Sequence, residues 1–398
     1  MKRAILFGLF CSLVTVLSGQ QKLSEQAEIR LVTGGPYQGE LYSAFGHSAV
    51  RVYDPRQGLD ILYNYGVFDF EQPNFYLNFA RGHLLYQLQK GSYRRFVLHY
   101  SGEGRFIHEQ ILNLSQAQKQ AYFEFLEVNA LPENREYFYD YFYDNCATRI
   151  RDGLKETLGD SLQFDLSYVS GGLTIRELCD LYLEEQAWGD LGIDLCLGLP
   201  MDKKASPWEY MFLPDYLELA FAEAQIITPR GYKPLVRETL ITYEPSPAPA
   251  AKTLIKPWLF TTLLLIMGLG LSWFYRHRAP ALRYFDGILF SITGLLGFFL
   301  LALWLLTDHS AAAYNFNIWW ALPSHLIFGI LLFRKRRRAL RFRYYFAFTT
   351  VVYLILIIGW FFWPQKLHVA WLPFTLLLLL RAALIARPKT PTGKKVYA

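Results

Sequence analysis

One cysteine of this sequence stands where a helix is expected to begin. Cys146 follows Asp144 and Asn145, residue types favoured just before a helix, and Ile150 and Leu154 continue at helical spacing. A helix N-terminus stabilises negative charge, so the pKa of a cysteine there can fall from about 8.5 to between about 3.5 and 7.5. We therefore predict that Cys146 forms a thiolate and acts as a nucleophile.

The neighbours of Cys146 have predicted supporting roles. Arg149 and Arg151 carry positive charge that would lower the thiol pKa further, and Asn145 is expected to support the site from the helix start. The backbone N–H of Cys146 would supply one donor of an oxyanion hole, and the side chain of Tyr42 or Ser43 a second.

A cysteine nucleophile needs a base, and histidine serves near neutral pH. Four histidines precede the hydrophobic C-terminal part of the chain, at positions 47, 83, 99 and 108, and all four precede Cys146. A Cys–His pair must therefore run histidine first, the reverse of papain-like hydrolases and the order of circularly permuted papain-like folds.

His47 is the predicted base. It lies between the small residues Gly46 and Ser48 at the start of a predicted strand, which leaves room beside the ring for a thiol and a substrate. A third group should orient the imidazole from the adjacent strand. Asn64 is the first candidate for that role and Asp69 the second.

The elements around these residues predict an α+β domain. Strands are expected at residues 27–35, 41–53, 61–68, 93–100 and 106–111, and helices at 115–130, 174–187 and 208–224. Strands first and helices after are typical of α+β architecture. With the histidine-first order, we predict a permuted papain-like, NlpC/P60-like fold. No His-Glu-x-x-His spacing or Gly-rich phosphate loop occurs, so we expect no metal and no cofactor.

The second half of the chain predicts an all-α transmembrane bundle. Its five apolar segments, at about 257–275, 285–306, 317–333, 345–363 and 369–386, approach the ~20 residues that a membrane crossing needs. Every second loop is rich in Arg and Lys, and such loops stay cytoplasmic. The first crossing therefore runs inward, which places the N-terminal domain outside the cytoplasm. The net charge of +6 is explained by this topology and requires no nucleic acid.

The predicted organisation begins with an export signal. Residues 1–20 have a basic start, an apolar core and a small-residue exit, typical of a cleaved signal peptide, although an uncleaved anchor is the alternative. Residues 21–242 form the periplasmic catalytic domain, 243–256 a Pro-rich linker, 257–386 the membrane domain and 387–398 a cytoplasmic tail. Cys179 and Cys196 would face an oxidising compartment, where they either pair or pack as free thiols.

Several motifs resemble one protein family. They are residues 45–51 (Phe-Gly-His-Ser-Ala-Val-Arg), 63–70 (Tyr-Asn-Tyr-Gly-Val-Phe-Asp-Phe), 144–152 (Asp-Asn-Cys-Ala-Thr-Arg-Ile-Arg-Asp), 212–215 (Phe-Leu-Pro-Asp), 307–309 (Thr-Asp-His) and 315–317 (Asn-Phe-Asn). Together they resemble bacteroidete-type lipoprotein N-acyltransferases of the inner membrane. The resemblance spans nearly the whole chain, and the cysteine motif is its most specific part.

The resemblance implies a reaction and its partners. Cys146 would take an acyl chain from a membrane phospholipid as a thioester, and the α-amine of a diacylglyceryl-cysteine lipoprotein would then accept it. His47 would move the protons. Further residues are candidates for substrate contact: Asp69, Arg149, Asp308, His309, Asn315 and Asn317. The alternative for the exported loop that carries Asp308, His309, Asn315 and Asn317 is that it is only a polar connection capping a helix hairpin.

Two other functions use the same residues. A cell-wall cysteine peptidase or amidase of NlpC/P60 type would employ the same dyad, but it needs no five-helix anchor. A non-enzymatic envelope scaffold would use Cys146 structurally. The aromatic run at residues 137–143 is compatible either with contact to the membrane interface or with an ordinary core.

Overall fold

The structure is a computed structural model that describes residues 21–246, 255–275, 279–334 and 340–387. The predicted signal peptide at residues 1–20, most of the predicted linker, and residues 388–398 of the predicted tail lie outside the described residues. So do many of the basic residues behind the topology prediction, including those at 335–338.

The N-terminal domain is built on a seven-stranded antiparallel sheet with the spatial order β10-β5-β1-β2-β3-β4-β6. Its strands are β1 Glu28–Gly34, β2 His47–Asp54, β3 Leu59–Val67, β4 Leu85–Ser92, β5 Ile107–Leu112, β6 Glu136–Phe138 and β10 Val236–Tyr243. A smaller sheet contains β7 Leu162–Gln163, β8 Gln225–Thr228 and β9 Gly231–Pro234.

Eight helices accompany these strands in the described part of the domain. They are α1 Phe75–Arg81, α2 Tyr93–Gly102, α3 Gln116–Asn129, α4 Cys146–Leu158, α5 Ile175–Leu183, α6 Ala187–Cys196, α7 Pro207–Tyr210 and α8 Pro214–Glu223. Helices α3, α4 and α8 cover one face of the large sheet and enclose the main core, while α2 covers the other face. In α4, Ile150 and Leu154 are fully buried, and burying each contributes about 1.5–3 kcal/mol.

The predicted α+β architecture is confirmed, but the predicted strand at 93–100 is wrong, because these residues form α2. Tyr93, Phe96 and Tyr100 recur at helical spacing and are buried against the sheet. Aromatic and β-branched content favoured a strand, and packing of the helical face overrides that weak preference.

Two other boundaries also differ from the prediction. Residues 41–43 form a single 3₁₀ turn, so β2 begins only at His47. The predicted helix at 208–224 is divided into α7 and α8, with Pro214 in the first turn of α8, where a missing N–H is tolerated.

The C-terminal domain consists of apolar helices. They are α9 Pro257–Phe274, α10 Ala279–Leu306, α11 Ser324–Phe333, α12 Leu340–Ile358 and α13 Trp371–Ala386. Within the described ranges, three helices are long and apolar enough to cross a membrane, namely α9, α10 and α12. A fourth span results if Ser310–Trp319 and α11, bent by 43°, are counted together, and α13 is a shorter apolar helix of 16 residues.

A buried ion pair joins three of these helices. Arg381 on α13 donates to Asp286 on α10 at 2.6 and 3.0 Å and to Ser272 on α9 at 2.7 Å. Charges within a membrane domain are costly unless paired, so this contact fixes the arrangement of the helices.

The two domains are joined through the C-terminal end of α6. The amide of Asn317 donates to the backbone oxygen of Asp194 at 3.0 Å, and the amide of Asn315 donates to that of Leu195 at 2.8 Å. The last carbonyls of a helix have no partner within it, so these amides from the membrane domain satisfy them. Gln365 donates to the oxygen of Leu197 at 3.1 Å and extends the junction.

Candidate active site

The pairing of residues between neighbouring strands of the large sheet shows where His47 lies relative to the start of the membrane domain. His47, the first residue of β2, lies opposite Gly34, and Gly34 lies opposite Ile107. Ile107 in turn pairs with Tyr243, the last residue of β10. The chain then continues to α9, which begins at residue 257. His47 therefore lies at the end of the sheet from which the chain continues toward the membrane domain.

Cys146 is the first residue of α4, as predicted, and Asn145 caps the helix. The Asn145 side-chain oxygen accepts from the backbone N–H groups of Ala147 and Thr148, each at 2.9 Å. Its amide nitrogen donates to the backbone oxygen of Phe212 at 2.8 Å. Asn145 thereby fixes the start of the helix that carries Cys146, a residue that is only 5% exposed.

His47 lies between Cys146 and Asn64. The Nε2 atom of His47 is 2.5 Å from the side-chain oxygen of Asn64, and the ring forms a second hydrogen bond with the Cys146 side chain. An amide oxygen only accepts, so Nε2 carries the proton and Nδ1 is left to face the sulfur. The structure thus brings together the three residues predicted as nucleophile, base and orienting group.

The pKa shifts of Cys146 and His47 favour a thiolate–imidazolium ion pair. Burial opposes the charge on Cys146, but the His47 charge, its hydrogen bond and the N–H of Ser48 together lower the pKa of the thiol below its usual value. Burial also opposes a charged His47, but the thiolate and the hydrogen bond to Asn64 raise the pKa of the imidazole. Each group therefore favours the charged form of the other.

Tyr139 is a functional candidate that the sequence did not single out. Its hydroxyl hydrogen-bonds both the sulfur and the backbone N–H of Cys146. Burial raises the pKa of the hydroxyl well above its usual value, so it remains a neutral donor. The aromatic run at residues 137–143 marked this segment in the sequence. The sequence pattern does not indicate which of its rings contacts the cysteine.

Two glycines allow the backbone to reach the site. Gly46 has a φ of +76°, and a side-chain carbon there would lie 2.9 Å from the backbone oxygen of Gly34. Gly66 has a φ of +88° and lies in the irregular end of β3, where an added carbon would be 3.2 Å from the Tyr139 ring. Both backbone conformations are costly for residues other than glycine. Glycine at these two positions therefore allows the backbone to place His47 and the Tyr139 ring in the site.

The predicted oxyanion donors Tyr42 and Ser43 have other contacts. The Ser43 hydroxyl donates to the backbone oxygens of Tyr37 and Glu40 within its own turn. Tyr42 is 63% exposed and its ring meets Phe68 edge-on. Tyr139 is better placed for this role, because its hydroxyl already touches the sulfur.

The structure places Arg149 and Arg151, the two arginines predicted to lower the thiol pKa, in ion pairs with neighbouring carboxylates. Arg149 is paired with Asp144 at 2.6 and 2.7 Å, and Arg151 is paired with Asp152. Each of these carboxylates offsets the arginine charge, and His47 is the charge that lowers the pKa of the Cys146 thiol. Asp69 binds the backbone N–H of Glu71 in the loop after β3 and does not orient His47.

The membrane-domain candidates lie at the junction between the domains. Asp308 is hydrogen-bonded to His83, and His309 is 3.0 Å from the backbone oxygen of Phe79. Asn315 and Asn317 cap α6. Their contacts are with the N-terminal domain, so the structure gives these residues a docking role and leaves a role in substrate contact as a proposal.

Cys179 and Cys196 are both free thiols in the part of the chain that the structure describes, so they do not form a disulfide with each other there. Burial raises the pKa of Cys179 above its usual value and that of Cys196 to about 11. Neither is therefore a competing nucleophile near neutral pH, since the thiolate is the reactive form.

A buried cysteine beside a histidine and an asparagine, at the membrane-side edge of an α+β domain, defines a membrane-anchored protein with a thiol site suited to attack on a carbonyl carbon. Residues 24–180 match the family model described as the Lnb N-terminal periplasmic domain, and residues 249–390 match the Lnb transmembrane domain. The chain belongs to the Lnb family and has the domain architecture of Lnb-type lipoprotein N-acyltransferases. It is a membrane protein whose N-terminal domain is periplasmic. The chain has no significant similarity to a curated protein or to a solved structure.

Replacing Tyr139 by phenylalanine is expected to slow acylation of Cys146 by about 10²–10³-fold, the usual cost of losing one oxyanion donor. The ring and its stacking on Tyr86, at 4.3 Å between centroids, are retained, so folding should be unaffected. The measurement is the rate at which an activated ester acylates Cys146, followed by intact-protein mass spectrometry. Tyr143→Phe, an exposed tyrosine of the same run, is the matched control. A wild-type rate for Tyr139→Phe would exclude the hydroxyl from the reaction.

Proposed function

We propose that the protein is a lipoprotein N-acyltransferase that moves an acyl chain from a membrane phospholipid to the α-amine of a diacylglyceryl-cysteine lipoprotein. The observation that carries the proposal is the Cys146–His47–Asn64 arrangement at the membrane-side edge of the periplasmic domain. Membership of a lipoprotein-processing envelope family supports it. The permuted papain-like description of the domain is part of the same proposal, supported by the histidine-first order.

In the first half-reaction, the Cys146 thiolate attacks an ester carbonyl of the phospholipid. A C–S bond forms and the ester C–O bond breaks. His47 gives its proton to the departing oxygen, which leaves as the hydroxyl of a lysophospholipid. The negative oxygen of the intermediate is stabilised by the N–H of Cys146 and the hydroxyl of Tyr139.

In the second half-reaction, the neutral α-amine of the lipoprotein attacks the thioester. A C–N bond forms and the C–S bond breaks, which returns the sulfur as a thiolate. The proton lost by the amine passes to His47, and this restores the starting ion pair. Two transfers through one covalent intermediate give ping-pong kinetics.

The position of the site favours a lipid substrate over a cell-wall peptide. Both proposed substrates are embedded in the bilayer, and a soluble peptidase with the same dyad would gain nothing from a membrane domain. Here the membrane domain is hydrogen-bonded directly to the domain that carries Cys146.

The test is mass spectrometry of lipoprotein N-terminal peptides from strains with and without the gene, in a background that contains no second N-acyltransferase. We expect the N-terminal cysteine to carry a free α-amine in the deletion strain and an amide-linked acyl chain after complementation. Unchanged N-acylation in the deletion strain would overturn the proposal.

A further inference from the structure

Helix α1 carries apolar side chains that the periplasmic domain does not cover. It connects β3 to β4, and none of its seven residues is buried. Tyr76 is 83% exposed, Leu77 56% and Phe79 46%. Exposed apolar patches of this kind mark interaction surfaces.

Hydrogen bonds join α1 to the segment that follows the apolar helix α10. The backbone N–H of Asp308 donates to the oxygen of Arg81 at 2.9 Å, and His309 contacts the oxygen of Phe79 at 3.0 Å. Asp308 and His309 come one residue after α10, which ends at Leu306. The C-terminal end of α1 therefore lies against the segment that follows α10.

A row of aromatic rings runs from α1 to the nucleophile. Phe75 on α1 lies 6.1 Å from Phe68, and Phe68 lies 5.1 Å from Tyr86, measured between ring centroids. Tyr86 stacks on Tyr139, whose hydroxyl touches the Cys146 sulfur. Phe68 and Phe75 are half-buried, so an apolar chain can contact the row at its α1 end, whereas Tyr86 is only 8% exposed and links that end to Tyr139 beneath the surface.

We infer that α1 inserts into the outer leaflet of the membrane and that the adjoining aromatic row receives a phospholipid acyl chain and leads it to Cys146. The inference rests on the proposed function and names the element that admits its lipid substrate. Aromatic side chains favour the membrane interface, and the ring faces of the row offer apolar surface to an acyl chain.

The first test is photolabelling of the full-length protein in vesicles of phosphatidylethanolamine and phosphatidylglycerol, with a phospholipid that carries a diazirine on its acyl chain. The protein is the Cys146→Ala variant, so labelling does not depend on thioester formation. We expect label in peptides that cover residues 70–87. Combined Tyr76→Ser and Phe79→Ser substitutions should reduce it by about tenfold.

Tyr232→Ser is the matched control, because Tyr232 is also an exposed tyrosine, 66% exposed, on β9. It precedes Val236, which pairs with Leu112 at the end of the sheet opposite His47. This control should label normally. Equal labelling of the control and the α1 variant would overturn the inference.

The second test compares two acyl donors in the protein with an intact Cys146. The α1 variant should form the acyl-enzyme normally with a short-chain water-soluble ester and about tenfold more slowly with phospholipid vesicles. Equal losses with both donors would assign α1 a purely structural role and overturn the inference. Labelling at α1 in the first test, combined with no acyl-enzyme from either donor when Cys146 is intact, would instead overturn the proposed function and leave α1 as a lipid-binding element.

Discussion

Cys146→Ser is expected to abolish N-acylation of lipoproteins, with a fall in turnover of roughly 10⁴-fold or more. A serine hydroxyl in this position is not ionised by His47, whereas the pKa of the cysteine is lowered by the same ring. The change removes one sulfur and is nearly isosteric, so the capping contacts of Asn145 should hold α4 in place. The result would identify the sulfur itself as the reacting atom.

The measurement is complementation of the deletion strain, with lipoprotein N-termini read by mass spectrometry and expression checked by immunoblotting. Cys196→Ser is the matched control, because Cys196 is a half-buried free thiol in the same domain whose pKa is raised to about 11. It should retain activity. Normal acylation by Cys146→Ser would show that Cys146 is not the nucleophile.

His47→Ala is expected to lower turnover by about 10²–10⁴-fold, the usual contribution of a general acid and base. It should also change the pH dependence of Cys146 alkylation by iodoacetamide. In the wild type, the thiolate forms below the usual pKa of a thiol because the imidazolium lies beside it. Without His47, burial raises the thiol pKa, so the alkylation profile should move to higher pH.

The control for this variant is His99→Ala, since His99 is an exposed histidine on α2 with a side chain 66% exposed. Its profile should match that of the wild type. An unshifted profile for His47→Ala would mean that the thiolate is stabilised by the helix and the N–H of Ser48 alone.

Local sequence signals sufficed for placing the candidate catalytic residues in their elements because each placement has a short-range cause. Asn145 caps α4 through bonds to its own next residues, and Gly46 supplies the turn that precedes His47. The pairing of β2 with β3 then brings Asn64 beside His47. These steps join residues close in sequence, so the spacing of the motifs was informative, whereas the approach of Cys146 to His47 depends on the packing of α4 against the sheet.

Other features depended on contacts that the sequence does not encode locally. Tyr139 reaches the sulfur only because β6 pairs with β4, which places the following residues over Cys146. Arg149 was predicted to act on the thiol, but it is engaged by Asp144 and stacks over the Tyr137 ring at 3.5 Å. Asp308 and Asn317 were predicted near the substrate, and their partners across the domain junction could not be foreseen from spacing.

The hydrogen bonds from the Asn315 and Asn317 amides to the end of α6 bear on which lipoproteins can accept an acyl chain. If the periplasmic domain is catalytic as proposed, its attachment to the membrane domain at a helix end would hold the sulfur at a constant height above the bilayer. Under the proposed function, only the lipid-bearing first residue of an acceptor needs to rise to that height, while the rest of the polypeptide stays in the periplasm. We therefore expect lipoproteins of very different size and shape to be acylated at similar rates, provided that a flexible leader separates the modified cysteine from the folded body.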